Sequence, residues 1–360
     1  MTLKKTLTTV AAGLAAGVLA LSGCAAAPED KPGDNGTTGS GNDFLGCMIS
    51  DQGGFDDKSF NQSGWDGLAR AQSELGVKTQ RAESKNSNDF ANNIRSMQTQ
   101  NCDLIVTVGF MLKEATETAA REAPDDRFAI VDDAQIALDN VKPLVFKTSD
   151  ASFLAGYLAA GYSKTGVVAT FGGGKIPSVS IFMDGFVDGV ARYNEDSGKS
   201  VQVLGWDKEK QDGSFTGDFE DQSKGKNTTK NFIDQGADVI MPVAGPVGLG
   251  AAAAAREASD VAIIWVDTDG YVSANQYQDL FLTSVVKEIA QSIFDTVKET
   301  VDGQFTSQPY VGTLANGGVG IAPYHDFDSK VPAELKAKVE ELKADIVSGA
   351  LKVTSPSDPQ

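Results

Sequence analysis

From about residue 44 to residue 350, short runs rich in β-branched and aromatic residues alternate with longer amphipathic runs. In the first cycle, a predicted strand at Leu45–Ser50 precedes a predicted helix at Lys58–Leu75. Strands that alternate with helices in this way form parallel sheets with helices on both faces. The pattern contains too many strands for one compact sheet, and it breaks near residues 148–165. The sequence therefore predicts an α/β fold of two doubly wound parallel-sheet lobes joined by a hinge.

Composition argues against several classes of function. The chain has 31 Lys and Arg residues against 49 Asp and Glu residues, a formal charge of −18. This charge would repel a phosphate backbone, so we expect no nucleic-acid partner. His325 is the only His in the sequence, and this argues against most catalytic Ser-His-Asp or Cys-His sets and against most His-rich zinc sites. We therefore expect a protein that is not an enzyme and that holds no metal and no cofactor.

Residues 1–23 have the pattern of a secretory signal. Lys4 and Lys5 precede an apolar run at about residues 7–21, which is too short and too rich in Ala and Gly for a permanent membrane helix. The sequence L-S-G-C at residues 21–24 resembles a bacterial lipobox, and a lipidated Cys24 would anchor the chain stably. The alternative is an ordinary signal with a coincidental Cys. We expect a bacterial lipoprotein on the extracytoplasmic face of the cell membrane.

Residues 24–42 follow as a flexible tether, because they are rich in Ala, Pro, Gly and Ser and lack apolar periodicity. Export also affects the interpretation of Cys47, in the first predicted strand, and of Cys102, just before the predicted strand at Asp103–Val108. Outside the cytoplasm two thiols are commonly oxidised. If the two strands are neighbours, a Cys47–Cys102 disulfide is geometrically possible. The alternative is two buried free thiols.

Polar and glycine residues collect directly after the predicted strands, where sheets of this kind bind their ligands. Residues of this type are Asp51, Asp132, Gly245 and Asp267. Glycine lets a ligand approach the backbone, and carboxylates suit a multiply hydroxylated or amine-bearing ligand. Phe60, near the start of the predicted helix at Lys58–Leu75, and Phe215, in a predicted loop, are free to stack on a flat ring. The residues Asp267–Gly270 could instead be only a turn.

Two other segments have structural explanations. Asp57 or Ser59 could cap the helix that begins nearby. The run Gly172–Lys175 is similar to a phosphate-binding loop. However, Ala169 and Ile176 stand where such a loop needs Gly and Ser or Thr, so we reject that interpretation.

Six segments follow one another in order along the chain: Asp51–Asn61 (DQGGFDDKSFN), Ala151–Ala159 (ASFLAGYLA), Asp234–Ile240 (DQGADVI), Ala244–Gly250 (AGPVGLG), Trp265–Asp269 (WVDTD) and Thr283–Lys287 (TSVVK). Together they resemble the basic membrane protein family of lipoproteins. Members of that family are nucleoside-binding receptors of ABC importers, of the purine nucleoside receptor A type. The resemblance extends from about residue 44 to residue 350.

The resemblance implies a type I periplasmic-binding-protein fold that closes by hinge motion on its ligand. It implies binding of nucleosides, and of purine nucleosides above all, between the lobes, and delivery to ABC permease subunits. We expect a monomer, with lobe 1 at residues 43–148 plus about 270–305 and lobe 2 at residues 149–269 plus about 306–350. The alternatives are a sensory or other solute receptor of this fold and, with less support, a carboxylate-based hydrolase.

The resemblance implies that Asn61 is a further polar contact to the ligand and that Asp51 hydrogen-bonds the base. Phe60 and Phe215 would stack on its two faces, although Phe219 lies close to Phe215 in sequence and competes for that role.

At the sugar, the resemblance implies that Asp267 and Lys287 hold the ribose hydroxyls. Gly245 would allow close backbone approach there, whereas Asp132 is implied only as a further polar contact to the ligand. Asp269 competes with Asp267, which is favoured because it lies nearer the end of its strand.

Overall fold

The computed structural model describes residues 43–359. The predicted signal, the lipidation site Cys24 and the tether at residues 24–42 lie outside the described residues, so those predictions stay predictions. Within residues 43–359, no helix combines the length and the apolar character that a membrane crossing requires.

Strands and α-helices alternate along the described chain. The strands are β1 (Leu45–Ser50), β2 (Lys78–Ala82), β3 (Leu104–Val108), β4 (Phe128–Val131), β5 (Val141–Phe146), β6 (Val167–Gly172), β7 (Gln202–Leu204), β8 (Trp206–Asp207), β9 (Asp212–Gly213), β10 (Val239–Val243), β11 (Ala262–Asp267), β12 (Phe281–Lys287), β13 (Tyr310–Gly312) and β14 (Val319–Ile321). The helices are α1 (Phe60–Leu75), α2 (Ser87–Thr99), α3 (Lys113–Glu122), α4 (Thr148–Tyr162), α5 (Pro177–Ser197), α6 (Gln222–Asp234), α7 (Val247–Ala258), α8 (Gly270–Ser273), α9 (Ile289–Val301) and α10 (Ala333–Ser348).

Two six-stranded sheets form the cores of two lobes. The sheet of lobe 1 has the order β13-β5-β4-β3-β1-β2, and all its neighbouring strands are parallel. The sheet of lobe 2 has the order β14-β12-β11-β10-β6-β7, in which β14 runs antiparallel. Strands such as β3 and β10 are buried throughout because helices cover both faces, and their sequences are correspondingly apolar. The prediction of an α/β fold with two parallel-sheet lobes is confirmed.

Two segments join a different lobe from the one that the sequence predicts. β12 belongs to the sheet of lobe 2, although residues 270–305 are predicted for lobe 1; of these, α9 packs on α1 of lobe 1. β13 joins the sheet of lobe 1, although residues 306–350 are predicted for lobe 2. Hydrophobic patterning identifies a buried strand but not its sheet, because the strands of both sheets are apolar on both faces.

Helices α4 and α5 pack with their backbones in contact, because glycines stand where they meet. A Cβ atom at Gly156 would lie 2.1 Å from the carbonyl oxygen of Phe186, and one at Gly185 would lie 2.2 Å from that of Ser149. Larger residues would force the two helices apart. This packing fixes the first turns of α5, which reach the space between the lobes.

Cys47 in β1 and Cys102 just before β3 form a disulfide, with Cα atoms 5.9 Å apart. β1 and β3 are neighbouring parallel strands, which is the arrangement that the predicted disulfide requires. Both sulfurs lie in a buried apolar cluster that includes Phe90 and Ile94 of α2. The bond therefore ties the start of the chain's first strand to the connection between α2 and β3.

We expect the double variant Cys47→Ala/Cys102→Ala to unfold with a free energy about 2–4 kcal/mol lower than the wild type, because the bond closes a long loop in the unfolded chain. Urea denaturation followed by circular dichroism measures this difference. Wild-type protein denatured in the presence of a reductant should lose a similar amount. A denaturation curve that reductant does not shift would show two free thiols instead.

Candidate functional site

A cavity lies between the lobes, at the carboxyl ends of the strands. It is lined by Asp51, Gln52, Asp57, Phe60, Asn61, Gly109, Phe110, Asp132, Ile176, Ser178, Val179, Phe182, Phe219, Val243, Ala244, Gly245, Pro246, Asp267 and Lys287. The structure thus brings together all the predicted ligand-binding residues except Phe215. Loops after the strands of both sheets contribute, so the site exists only where the two lobes meet.

Two of its carboxylates occupy equivalent places in the two sheets. Asp132 directly follows β4, which is the third strand from the β13 edge of its sheet. Asp267 ends β11, which is the third strand from the β14 edge of the other sheet. Both residues have left-handed backbone, with φ of 67° and 68°. Asp tolerates this conformation better than most residues, and such strain persists only where the surroundings hold it. The left-handed turn ends each strand and brings the two carboxylates to one cation.

That cation is Lys287, the last residue of β12. Its Nζ lies 2.8 Å from Asp132 Oδ2 and 3.0 Å from Asp267 Oδ1, and its side chain is 2% exposed. Burial opposes the ammonium charge, but the two carboxylates outweigh burial and raise the pKa of Lys287. The side chain therefore stays charged, and it links Asp132 of lobe 1 to Asp267 of lobe 2.

A second contact to Asp267, besides that of Lys287, comes from Ser59 of lobe 1. Ser59 Oγ lies 2.9 Å from Asp267 Oδ2 and 3.0 Å from the carbonyl oxygen of Val266, and its single proton serves one of them at a time. Asp267 Oδ1 is close enough to the Lys287 ammonium for charge attraction, but among the described residues no donor meets it with hydrogen-bond geometry. Asp267 therefore keeps a buried acceptor free for a ligand.

Asp51 and Asn61 also line the cavity, and Asn61 Nδ2 donates to Asp51 Oδ1 at 2.9 Å. Burial raises the pKa of Asp51 well above its ordinary value, and Asn61 lowers it only in part. Gly109 makes room for this carboxylate, since a Cβ atom there would lie 2.2 Å from Asp51 Oδ2. Asn61 Oδ1 is buried without a donor in the described part of the chain, so this amide has one unpaired acceptor.

Asp57 serves mainly to cap α1. Its carboxylate accepts hydrogen bonds from the backbone N–H groups of Ser59, Asn61 and Gln62, and from the side chain of Asn61. Burial raises its pKa to about 6. The structural interpretation of Asp57 is therefore confirmed: it fixes the start of the helix that presents Phe60 and Asn61 to the cavity.

Phe215 does not line the cavity. Its ring packs edge-on against Trp206 at a centroid distance of 5.9 Å, inside lobe 2. Phe219, four residues later, lines the cavity instead, so the preference for Phe215 as the second aromatic is corrected. Both lie in one loop segment without regular periodicity, and the sequence does not show which ring faces inward. Phe182, in α5, also lines the cavity and was missed because its helix is buried on several sides.

The glycines at residues 172–174 contact the rings of Phe215 and Phe219. A Cβ atom at Gly172 would lie 2.6 Å from the Phe215 ring, and one at Gly173 would lie 2.5 Å from the Phe219 ring. The run therefore supports aromatic side chains, consistent with the rejection of a phosphate-binding loop. Gly245 has φ of 52° and open space where a Cβ would be, so its backbone is accessible from the cavity.

Asp269 lies outside the cavity lining. Its side chain accepts from the backbone N–H of Tyr271 and contacts His325 Nε2 at 2.7 Å. This placement favours Asp267 over Asp269 at the cavity, as the sequence suggested from its position at the strand end.

Comparison with known proteins identifies the family. The sequence model of the Bmp family, described as "ABC transporter substrate-binding protein PnrA-like", matches residues 44–355. The chain belongs to the Bmp family. It is 33% identical to the CD4+ T-cell-stimulating antigen of Listeria innocua, over 94% of this chain and 95% of that protein. It is 30% identical to the ABC transporter nucleoside-binding protein BmpA of Lactococcus lactis, over 99% of this chain and 100% of that protein.

A solved structure agrees with this assignment to the Bmp family. An ABC transporter solute-binding protein from Aeropyrum pernix matches the fold with a TM-score of 0.79 at 25% identity, covering 88% of this chain and 94% of that one. The two lobes therefore form a type I periplasmic-binding-protein fold. The chain is a substrate-binding protein of an ABC transporter, from an extracytoplasmic family that works with transporter permease components.

We expect Lys287→Met to lower the free energy of unfolding by about 3–5 kcal/mol, because it leaves two buried carboxylates without their cation. Urea denaturation at pH 7 measures the change. The matched control is Lys298→Met, which removes a Lys from the exposed pair with Asp302 and should change stability very little. Equal effects of the two substitutions would show that the buried ion pair does not hold the lobes together.

Proposed function

We propose that this Bmp-family protein binds nucleosides, and purine nucleosides above all, in the cavity between its lobes and delivers them to the permease of an ABC importer. It would act as a monomer, anchored by a lipid on Cys24. The observation that carries the proposal is the composition of the cavity. Aromatic rings and buried carboxylates line it, and among residues 43–359 no donor meets Asn61 Oδ1 or Asp267 Oδ1 with hydrogen-bond geometry.

The aromatic rings support recognition of a flat base. Phe60 begins α1 of lobe 1, whereas Phe219 lies in the loop before α6 of lobe 2, and both line the cavity. A base between them would be held from both faces only when the lobes are closed. Stacking of a base on an aromatic side chain contributes roughly 1–3 kcal/mol. Ring stacking can therefore couple ligand binding to closure.

The carboxylates support recognition of a base edge and a sugar. Asp51 pairs with Asn61, and Asp267 pairs with Lys287. Among residues 43–359 no donor meets Asp267 Oδ1 with hydrogen-bond geometry, and the vicinal hydroxyls of a ribose would supply two donors. Lys287 would donate to a ribose oxygen and offset the buried charge of Asp267. A nucleoside would thus satisfy groups that the protein leaves unpaired.

The comparisons support the same ligand class. The Lactococcus lactis relative that matches 99% of this chain is named a nucleoside-binding protein. Seven residues that the family resemblance assigns to the ligand line one cavity. No catalytic base is needed for such a role, because the ligand is bound and released unchanged.

Isothermal titration of the purified chain from residue 43 onward with a panel of purine and pyrimidine nucleosides tests this proposal. We expect tight binding of at least one purine nucleoside, and chromatography of the mixture should recover the nucleoside intact. Free ribose is the matched control for the sugar end and should bind far more weakly. Release of free base would indicate a hydrolase, and absence of binding to every nucleoside would indicate a receptor for another solute.

We expect Phe219→Ala to weaken nucleoside binding about ten- to hundred-fold, because one stacking face is lost. Phe215→Ala, four residues away, is the matched control. It should lower the free energy of unfolding by about 2–3 kcal/mol through loss of core packing, while the dissociation constant changes little. Titration and urea denaturation of both variants separate the two roles. If Phe215→Ala weakened binding and Phe219→Ala did not, Phe215 would be the residue that stacks on the base.

A further inference from the structure

The turn before α1 contacts lobe 2 through its backbone. The carbonyl oxygen of Lys58 accepts from Trp265 Nε1 at 3.2 Å and from Thr268 Oγ1 at 3.2 Å. Lys58 belongs to lobe 1, whereas the two donors lie in β11 of lobe 2 and directly after it. One acceptor of lobe 1 therefore receives two hydrogen bonds from the other lobe.

Lys58 makes this contact with its main chain and not with its charge. Its backbone is left-handed, with φ of 60°, a conformation that is uncommon for residues with a Cβ and persists where the surroundings hold it. Its ammonium group pairs instead with Asp56, whose side chain is 89% exposed. The connection to lobe 2 therefore depends on the position of the Lys58 carbonyl group.

The indole of Trp265 is fixed within lobe 2. The residue is 1% exposed, and its ring lies 5.5 Å from that of Phe281 between centroids. A Cβ atom at Gly248 of α7 would lie 2.8 Å from the indole, and one at Gly270 of α8 would lie 2.7 Å from it. Because both helices pack directly on the ring, separation of the lobes would take the Lys58 carbonyl away from this N–H.

The hydroxyl of Thr268 is oriented by a neighbour in its own lobe. Thr268 Oγ1 lies 3.0 Å from Ser273 Oγ of α8. Since Thr268 has one hydroxyl proton and donates it to Lys58, Ser273 is the donor in this second contact. The described lining of the cavity includes none of Lys58, Trp265 and Thr268. Their hydrogen bonds therefore join the lobes outside the space that the cavity offers to a ligand.

We propose that Lys58, Trp265 and Thr268 form a latch that holds the two lobes together and slows the release of a bound solute without contacting it. Separation of the lobes breaks both hydrogen bonds to the Lys58 carbonyl, so the latch makes opening rarer. A solute between the lobes leaves only after they separate. The effect on release rests on the proposed function, whereas the effect on opening does not.

Hydrogen exchange of indole N–H groups, followed by NMR on protein labelled with ¹⁵N-tryptophan, measures opening on the protein alone. Thr268→Val keeps the shape of the side chain and removes its donor. We expect it to speed exchange at Trp265 about three- to ten-fold. Trp206, whose indole donates to Asp184 within lobe 2, is the internal control and should not change. Unchanged exchange at Trp265, or equal acceleration at both indoles, would contradict the latch.

Two further variants serve as matched controls. Thr170→Val also removes a buried hydroxyl that donates to a backbone carbonyl, that of Met241 at 2.9 Å, but both partners belong to lobe 2. Lys58→Ala keeps the carbonyl group that the latch uses. Neither should change the ratio of exchange rates at Trp265 and Trp206. A changed ratio in Lys58→Ala would assign the contact to the side chain, and one in Thr170→Val would show a general loss of stability.

Circular dichroism checks the fold of each variant. Should Thr268→Val not fold, Ser273→Ala removes the donor that orients Thr268 and serves in its place. We expect a smaller acceleration of exchange at Trp265 alone, and no acceleration would contradict the latch.

Release is measured by stopped-flow displacement of the purine nucleoside that binds tightest. Its dissociation rate should rise about three- to ten-fold in Thr268→Val and stay unchanged in Thr170→Val. Equal rates in Thr268→Val and the wild type would show that the latch does not control release. If the wild type binds none of the nucleosides, the proposed function is wrong, and the exchange of the Trp265 indole still decides whether the latch exists.

Discussion

One buried ammonium group connects the two lobes of this protein. Lys287 ends a strand of lobe 2 and reaches Asp132 of lobe 1, while Asp267 of its own lobe contacts the same nitrogen. Each of these charges would be costly to bury alone, and together they are tolerated because the geometry pairs them. The pairing requires both lobes to be in place. The position of the two lobes relative to each other therefore determines whether the buried charges of the cavity are paired.

Four carboxylates and one ammonium group line the cavity. Burial raises the pKa of Asp51 well above its ordinary value and that of Asp57 to about 6, since no cation of the described residues lies beside either carboxylate. Asn61 Oδ1 and Asp267 Oδ1 lack donors among residues 43–359. A ligand rich in N–H and O–H groups would complete these contacts. The protein thus prepares an acceptor-rich surface whose missing donors define the chemistry of what it binds.

The sequence predicted what sheet geometry determines. Strand alternation predicted two lobes, and the rule that ligands bind at the carboxyl ends of strands identified Asp132 and Asp267, because a strand end has a known place in a parallel sheet. Geometry outside the sheets was not predictable in this way. Whether Phe215 or Phe219 faces the cavity depends on the path of an irregular loop. β12 belongs to lobe 2 because the chain crosses between the lobes before it, and hydrophobic patterning does not show where such crossings occur.

The asymmetry between the lobes leaves the site with one cation for two facing carboxylates. The pairing of β4 with β5 and of β11 with β12 places Phe146 and Lys287 at corresponding positions, one residue beyond the partners of Asp132 and Asp267. The Lys287 ammonium lies 5.8 Å from the Phe146 ring. With phenylalanine at the lobe 1 position, the two carboxylates share one cation, and no donor among residues 43–359 meets Asp267 Oδ1 with hydrogen-bond geometry.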